Sequence, residues 1–234
     1  MAHPIGGWSV MDVEVAPDAA ALAARGANLI AEAVRDAVEA RGLAAIAFSG
    51  GRTPAPLFAR LAHHDLPWER VHVFQVDERV APDGHPDRNL VDLRANLLDH
   101  VAADAHPMPV NAADLHRAAR DYAALLREVC GGVLDLVHLG LGDDGHTASW
   151  PPGDLVVDAT DDVAVVGPYR GRVRMTLTPV MVNRARRILW EVSGADKASV
   201  LARLLDGDNA LPAARVRRRD SLVLADEAAA GEQA

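Results

Sequence analysis

The sequence Leu139-Gly140-Leu141-Gly142-Asp143-Asp144-Gly145-His146-Thr147-Ala148-Ser149 stands near the middle of the chain. An apolar run, residues 133–139, leads into it and predicts a buried strand. The glycines that follow permit a sharp turn, which places Asp144 and His146 at the carboxyl end of that strand. A histidine titrates near neutrality, and a neighbouring carboxylate fixes its tautomer and supports its charged form. The stretch therefore predicts a general-base site.

Three other interpretations of this stretch stay open. Its glycines fit the G-x-G-x-x-G pattern of a dinucleotide site, namely Gly140, Gly142 and Gly145. Against it, Asp143 and Asp144 would occupy the place of the pyrophosphate, and Pro151 and Pro152 prevent the long helix that should follow. Asp144 and His146 could instead ligate a metal, but no second His/Cys/Asp/Glu cluster has convincing ligand spacing. The third interpretation is a structural turn.

Composition restricts the class of protein. The chain has 234 residues, 50% of them hydrophobic, which suffices for one α/β domain spanning residues 1–234. The formal net charge of -9 argues against a nucleic-acid partner and against an anionic membrane surface. There is no apolar run of about eighteen residues and no signal-peptide pattern. One cysteine, Cys130, excludes an internal disulfide and is typical of a reducing cytoplasm.

Predicted strands alternate with predicted helices along the chain. A helix is expected over residues 19–41, where Asp18 can cap the first turn and Gly42 can end the last. Strands are predicted at residues 8–15, 43–48, 71–76, 133–139, 172–177, 187–192 and 221–224, and one or two more over residues 155–166. Residues 102–111 are expected to be a loop, and the tail after Asp226 to be frayed. This order predicts an α/β fold, Rossmann-like, with a mostly parallel sheet and helices on both faces.

A glycine-rich loop follows the strand at 43–48, with the sequence Ser49-Gly50-Gly51-Arg52-Thr53-Pro54. Thr53 is a good N-cap and Pro54 suits the first helical position, so a helix should begin here. Such a turn bares the N–H groups of Gly50 and Gly51 beside the positive end of a helix dipole, which is an anion site. Arg52 adds a cation. The alternative is an ordinary strand-to-helix turn with Arg52 in water.

Two further strand ends carry charged groups. Asp77-Glu78-Arg79 follows the strand at 71–76, and Lys197 opens a helix after the strand at 187–192. A cation in a first helical turn opposes the helix dipole and therefore suggests a bound anion, although solvated charges would look the same. In open α/β sheets such strand ends meet in one crevice. We expect them to face His146 there.

Taken in series, these motifs resemble the 6-phosphogluconolactonase family. They are Ser49-Gly50-Gly51-x-Thr53-Pro54, Asp77-Glu78-Arg79, Leu139-Gly140-x-Gly142-x-Asp144-Gly145-His146-Thr147-Ala148-Ser149 and Gly194-x-x-Lys197. Their order and spacing match over nearly the whole chain, and the motif around His146 is the most specific. The resemblance implies the fold of the glucosamine-6-phosphate deaminase/isomerase superfamily, a Rossmann-like sheet that binds no dinucleotide.

The resemblance also implies an activity, the hydrolysis of 6-phospho-D-glucono-1,5-lactone to 6-phosphogluconate in the oxidative pentose phosphate pathway. His146 would be the base that activates water against the lactone carbonyl. Asp144 would orient His146, and Asp77 would line the same pocket. The family needs no metal and no organic cofactor, so the expected partner is a small-molecule phosphosugar lactone. We expect a cytoplasmic monomer or weak homo-oligomer.

The phosphate of that substrate is assigned to the other motifs. By resemblance, Arg79 and Lys197 would hold it together with the backbone of Gly50 and Gly51, and Arg52 lies in the same loop. The same assignment follows from the residues alone, which predict one base together with separate cationic and backbone N–H groups that suit a dianion. An acidic chain that binds an anion must concentrate its positive groups locally.

The sequence departs from the family pattern at three places. Arg88-Asn89 stands where the family usually has Ser-Asn, Trp150-Pro151-Pro152-Gly153 where it has Leu-Phe-Pro-Gly, and Arg52 where it has a small residue. These changes are expected to affect the sugar end of the site more than the chemistry. A paralogue that acts on another phosphosugar lactone is therefore an alternative.

Two other functions are compatible with this scaffold. A glucosamine-6-phosphate deaminase/isomerase-like enzyme calls for a carboxylate five residues beyond the histidine in that family, where this chain has Pro151. A non-catalytic sugar-phosphate-binding homologue, such as a repressor effector domain, would carry an N-terminal DNA-binding domain. This chain has little sequence before its first predicted strand, and its acidity disfavours DNA. The motif residues His146, Asp77, Arg79 and Lys197 are intact, which also argues against an inactive homologue.

Overall fold

A computed structural model describes residues 11–51 and 53–231, and two β-sheets organise them. The ten strands are β1 (Asp12–Ala16), β2 (Ala44–Phe48), β3 (Val71–Gln75), β4 (Asp77–Arg79), β5 (Asp104–His106), β6 (Leu136–Gly140), β7 (Val163–Tyr169), β8 (Arg172–Leu177), β9 (Arg187–Val192) and β10 (Ser221–Asp226). Seven of them form one sheet in the order β1-β10-β9-β6-β2-β3-β5. Every neighbouring pair in it is parallel, as the alternation of strands and helices predicts.

Helices cover both faces of this large sheet. They are α1 (Ala19–Arg41), α2 (Ala55–Leu61), α3 (Asn89–Asn96), α4 (Leu115–Cys130), α5 (Pro179–Asn183), α6 (Ala198–Leu205) and α7 (Glu227–Ala230). Apolar side chains of α1, α2 and α3 form a core on one face, and those of α4 to α7 form a second core on the other. The predicted fold class is confirmed.

Helix α1 shows how local sequence sets an element's bounds. The Asp18 carboxylate accepts a hydrogen bond of 2.7 Å from the backbone N–H of Ala21, and Gly42 adopts the left-handed conformation that ends the helix, with φ 82°. The buried positions between them fall on one side of the helix at i, i+3, i+4 and i+7 spacing, for example Ile30, Ala33, Val34 and Ala37. The helix predicted at 19–41 is confirmed.

A smaller antiparallel sheet, in the order β4-β8-β7, extends from the large one. Strand β4 begins two residues after β3 ends, and Asp77 pairs with Thr176 across to β8. The turn between β7 and β8 brings Tyr169 into contact with Asp144 and Arg170 into contact with Asp143. This sheet therefore carries side chains to the loop that holds His146.

Two segments are more ordered than the sequence predicts. Strand β5 lies inside the expected loop at 102–111 and pairs with β3. The sequence did not predict it, because a three-residue strand is too short to show an alternating pattern of apolar and polar residues. The tail after Asp226 continues as α7, since the Asp226 carboxylate caps it by accepting the N–H of Ala229 at 2.8 Å. Ala229 is buried, so the expectation of a frayed tail is wrong for Glu227–Ala230.

Other bounds also shift. Helix α2 begins at Ala55 without a side-chain cap, so the capping role predicted for Thr53 is wrong; the Pro54 carbonyl accepts the N–H of Phe58 instead. Of the one or two strands predicted over residues 155–166, the first part is a short 3-10 helix, Leu155–Asp158, and the last part is the beginning of β7. The strand predicted at 8–15 is seen as β1, while residues 8–10 lie outside the described residues.

The topology places three loops together. Strands β9, β6 and β2 are neighbours at the centre of the parallel sheet, so the loops at their carboxyl ends face one another. Within residues 11–51 and 53–231, no helix has the length and apolar character needed to cross a membrane.

Candidate active site

A polar cavity of about 500 Å³ opens at the carboxyl ends of these strands. Most of the residues predicted for the site line it, namely Gly50, Gly51, Asp77, Arg79, His146 and Lys197. Asp144 lies directly behind His146 and bonds to it. Arg52 lies outside the described residues. The expected convergence of separate strand ends on one hollow is therefore found for these six residues, and Asp144 joins them through its bond to His146.

The His146 ring is held by the loop that carries it. Its Nδ1 lies 2.5 Å from Asp144 Oδ1, which also accepts the backbone N–H of His146 at 3.1 Å. Gly142 makes this close approach possible, because a Cβ there would lie only 1.9 Å from Nδ1 of His146. With Nδ1 bonded to the carboxylate, Nε2 is the ring nitrogen left to exchange a proton with a ligand.

Tyr169, which the sequence analysis does not single out, completes this group. Its hydroxyl donates to Asp144 Oδ2 at 2.5 Å and lies 3.0 Å from Nδ1 of His146. Partial burial alone would raise the pKa of Asp144, but the hydrogen bonds from Tyr169 and His146 outweigh it and hold that pKa well below its ordinary value. Burial and the Asp144 carboxylate raise the pKa of Tyr169 to about 12. At neutral pH Asp144 is therefore an ionised acceptor and Tyr169 a neutral donor.

Asp77 lines the cavity but is tied into its wall. Its carboxylate accepts hydrogen bonds from Ser149 Oγ at 2.6 Å and from Asn89 Nδ2 at 3.0 Å, and Arg174 Nη1 lies 3.8 Å away. Asn89 in turn packs against the glycine-rich loop, where a Cβ at Gly50 would come within 2.2 Å of it. Asp77 thus links three segments of the cavity wall.

The cationic groups come from several elements. Arg79 donates to the carbonyl of Asp87 at 2.8 Å, and Lys197 lies 3.2 Å from Asp196. Lys197 ends a 3-10 turn immediately before α6, rather than lying in the helix as predicted. That turn is anchored by the Asp226 carboxylate, which accepts the N–H of Gly194. The cations are therefore fixed near the cavity by backbone contacts.

Two more arginines line the cavity and are missed by the sequence analysis. Arg174 is buried, with its guanidinium 5.0 Å from the centre of the Tyr169 ring, and burial lowers its pKa. Arg170 is half-exposed and pairs with Asp143 at 2.6 Å. No motif marks either residue, since their positions depend on the register of the β7–β8 hairpin. Together they increase the positive charge that surrounds His146.

Glu78 supports the site from behind the wall. It is fully buried and forms an ion pair of 3.1 Å with Arg88. Its two oxygens also accept the backbone N–H groups of Arg79 at 2.8 Å, Asn89 at 2.7 Å and Leu90 at 2.9 Å. The carboxylate therefore caps the start of α3 and fixes the backbone that carries Arg79.

A second histidine lies at the cavity lining. His138 Nε2 is 3.0 Å from Glu191 Oε2, and both side chains are almost completely buried. The pair joins neighbouring strands β6 and β9, and the His138 ring contacts Phe48 and Phe58. It gives the strand end beneath the cavity a fixed polar contact.

The site fits neither a dinucleotide nor a metal well. Asp143 and Asp144 occupy the glycine turn, where a pyrophosphate would meet two carboxylates. Ligand atoms of Asp143, Asp144 and His146 lie within 4.8 Å of one another. However, Asp144 is already bonded to His146 and Tyr169, and Asp143 to Arg170. What the arrangement provides is an imidazole oriented by an ionised carboxylate, beside cations that suit an anionic ligand.

Comparison with known proteins shows the relationship. The sequence model of the family described as "Glucosamine-6-phosphate isomerases/6-phosphogluconolactonase" matches residues 17–224. The chain belongs to this family. The 6-phosphogluconolactonase of Synechocystis sp. is 42% identical over 180 residues, which cover 73% of this chain and 75% of that protein. The 6-phosphogluconolactonase of Nostoc sp. is 35% identical over 233 residues, covering 94% and 97%.

A solved structure of a related protein shows the same fold. The crystal structure of 6-phosphogluconolactonase from Thermotoga maritima superposes with a TM-score of 0.84 at 26% sequence identity, covering 92% of this chain and 99% of that one. Within the glucosamine-6-phosphate isomerase/6-phosphogluconolactonase family, two departures noted in the sequence belong to the scaffold. Arg88 pairs with Glu78, and the fully buried Trp150 donates its indole N–H to the Leu177 carbonyl at 2.8 Å. Neither side chain lines the cavity, so an effect of these two residues on the sugar end would pass through the scaffold, and that expectation stays a prediction.

Proposed function

We propose that this protein hydrolyses 6-phospho-D-glucono-1,5-lactone to 6-phospho-D-gluconate, a step of the oxidative pentose phosphate pathway. The observation that carries the proposal is the His146–Asp144 contact of 2.5 Å in a cavity that Arg79 and Lys197 also line. An oriented base beside a dianion site is what hydrolysis of a phosphorylated ester requires. The relatives named 6-phosphogluconolactonase support the same reaction.

His146 acts as the general base in this proposal. Its Nε2 takes a proton from water as the water oxygen bonds to the lactone carbonyl carbon, and the carbonyl electron pair moves onto oxygen. When the carbonyl re-forms, the bond to the ring oxygen breaks and that oxygen takes the proton from His146. Asp144, ionised at neutral pH, stabilises the imidazolium that exists between these two transfers.

The phosphate end is assigned to the groups that carry positive charge and to backbone N–H groups. Arg79 and Lys197 supply the charge, and the glycine-rich loop supplies the backbone of Gly50 and Gly51 at the same cavity. Asp77 holds Ser149 and Asn89 in the wall and is given a positioning role. Arg52 is kept as a candidate phosphate contact on sequence grounds alone.

The direct test of the function is a lactonase assay with freshly generated 6-phosphogluconolactone, corrected for spontaneous hydrolysis. We expect a protein-dependent rate of lactone hydrolysis, with 6-phosphogluconate, the product, acting as a competitive inhibitor. Glucosamine 6-phosphate is assayed in parallel, because ammonia release from it would favour the deaminase/isomerase reaction. Binding of both compounds without turnover of either would favour a non-catalytic homologue.

The phosphate assignment predicts the effect of Lys197→Met. A lost charge-assisted hydrogen bond is worth about 1.5–3 kcal/mol, so KM for the phosphorylated lactone should rise by about 10- to 100-fold while kcat changes little. Turnover of the dephosphorylated lactone should stay the same, and Arg219→Met, at a highly exposed arginine, serves as the matched control. An equal loss for both lactones would contradict the assignment.

The role given to Tyr169 predicts the effect of Tyr169→Phe. The variant loses the donor to Asp144 Oδ2, so the pKa of Asp144 should rise toward its ordinary value. One lost hydrogen bond is worth about 1 kcal/mol, so kcat should fall by about five- to tenfold with KM nearly constant. Carbon NMR of the carboxyl groups follows the titration of Asp144, and steady-state kinetics separate the effect on kcat from the effect on KM. A rise in KM alone would place Tyr169 in substrate binding instead.

We also propose a setting for the reaction. The enzyme acts as one domain on a small-molecule lactone, without a metal or organic cofactor in catalysis, in the cytoplasm, as a monomer or weak homo-oligomer. Its single cysteine and acidic composition support this setting. Sedimentation velocity over a range of protein concentrations tests the oligomeric state.

A further inference from the structure

A second cluster of metal-ligand side chains lies outside the catalytic cavity, on the edge of the large sheet. His72 is the second residue of β3, and Asp104 and His106 are the first and last residues of the edge strand β5. Parallel pairing sets His72 opposite Asp104 and Phe74 opposite His106. None of the three ligand residues lines the catalytic cavity, which lies at the carboxyl ends of the strands.

Three atoms of this cluster face one another. His72 Nδ1 lies 3.0 Å from His106 Nε2 and 3.4 Å from Asp104 Oδ2, and His106 Nε2 lies 3.6 Å from the same oxygen. A circle through three atoms so separated has a radius of about 1.9 Å, close to the Zn–N and Zn–O bond lengths of about 2.0–2.2 Å. One ion can therefore lie within bonding distance of all three atoms.

We propose that His72, Asp104 and His106 form a binding site for one divalent transition-metal ion of the zinc class. Two imidazoles and one carboxylate favour Zn²⁺, Co²⁺, Ni²⁺ or Cu²⁺ over Mg²⁺ and Ca²⁺, which prefer oxygen ligands. Three protein ligands leave a further coordination position for water. The Asp104 side chain is 62% exposed, so the ion can enter from solvent.

The surroundings hold the ligands in place. The Phe74 ring stacks on His106 at a centroid distance of 4.6 Å, and the backbone carbonyl of His106 accepts the Tyr122 hydroxyl at 2.8 Å. Without metal, the two ring nitrogens share one hydrogen bond, so an ion replaces a single N–H···N contact. The ring centroids are 5.3 Å apart and the ring planes differ by 14°, so the two nitrogens meet almost head-on, and each ring must turn by about 40° to direct its lone pair at an ion about 2.0 Å away.

The structural consequence is a cross-link between β3 and β5. Strand β5 has three residues and, within the part of the chain that the structure describes, pairs only with β3. An ion bound to both strands would fix an otherwise weakly held edge strand, and would stabilise the folded state by mass action. The site is independent of the proposed lactonase activity.

The experiment uses chelator-treated protein carrying His146→Ala, because the catalytic loop also has three possible ligands close together. Calorimetric titration with Zn²⁺ should give one site of micromolar or tighter affinity, and saturating Zn²⁺ should raise Tm by about 5 °C or more. His72→Gln, Asp104→Asn and His106→Gln should each weaken binding by at least tenfold. His63→Gln, at an exposed histidine, is the matched control and should bind normally.

An NMR measurement tests the site without substituting His72, Asp104 or His106, so its result does not depend on whether those variants fold. In ¹⁵N-labelled protein, Zn²⁺ should shift the ring nitrogens of His72 and His106 and leave those of His63 in place. Titration without a saturable site, or ring shifts confined to other histidines, would overturn the proposal. The lactonase assay is run separately, on protein with His146 intact and in the presence of chelator, so that a failed lactonase assay and a failed metal titration are separate results.

Discussion

His146→Ala should lower kcat for 6-phosphogluconolactone by about 10²- to 10⁴-fold, the usual contribution of a positioned general base. The imidazole is held by Asp144 at 2.5 Å, so its alignment is set before substrate arrives, and alanine removes the base without filling its place. KM should change by less than about threefold, because the phosphate contacts are assigned to other residues.

The measurement is a stopped-flow or rapid-mixing rate corrected for spontaneous hydrolysis, which sets the floor of the assay. His63→Ala, at an exposed histidine outside the cavity, is the matched control and should keep the full rate. Added imidazole should restore part of the lost turnover if a small base can occupy the space that the side chain leaves. Full turnover in the alanine variant would refute the role of His146.

The sequence could predict the position of the catalytic loop because the end of a buried strand is recognisable in the sequence. An apolar run that stops at Gly140 and continues into charged residues identifies both a strand and its functional end, and parallel topology then brings such ends together. His146, Arg79 and Lys197 were found in this way and share one cavity. For these residues the local sequence predicts the place in the fold, and the family resemblance implies the roles.

The sequence could not predict residues whose placement depends on pairing register. Tyr169 and Arg174 reach the site because the β7–β8 hairpin has one particular register with a bulge between Val166 and Tyr169, and a shift by one residue would turn them to the opposite face. His72 and His106 are far apart along the chain and meet only through the pairing of β3 with β5. Ligand spacing along the sequence therefore gave no sign of that cluster.

The departures from the family pattern show a further limit. Arg88 is expected to affect the sugar end because it stands where the family usually has a serine before the asparagine. Its side chain turns the other way and pairs with Glu78 inside the wall. A linear motif gives a residue's neighbours in the chain, whereas the direction of its side chain is set by the packing of α3 against β4.

Glu78→Gln should destabilise the folded protein by about 3–5 kcal/mol, the usual cost of removing one partner of a buried ion pair. The amide keeps the shape of the side chain but removes the buried countercharge of the Arg88 guanidinium, which is only 4% exposed, and leaves it only the exposed carboxylate of Asp83. It also turns one acceptor oxygen into an NH₂ donor among donors, since the backbone N–H groups of Arg79, Asn89 and Leu90 all point at this carboxylate. The loss is large against a total stability of about 5–15 kcal/mol.

Urea unfolding measures this effect, with Glu69→Gln as the matched control at an exposed glutamate, expected to change stability by no more than about 0.5 kcal/mol. If Glu78 also fixes the backbone of Arg79, the folded fraction of the variant should show a raised KM for the phosphorylated lactone and an unchanged KM for the dephosphorylated one. A loss of less than about 1 kcal/mol would mean that water or a neighbouring carboxylate such as Asp83, already 3.1 Å from Arg88, neutralises the guanidinium. In that case Glu78 would act as a cap for α3 and would not be the electrostatic anchor of the site.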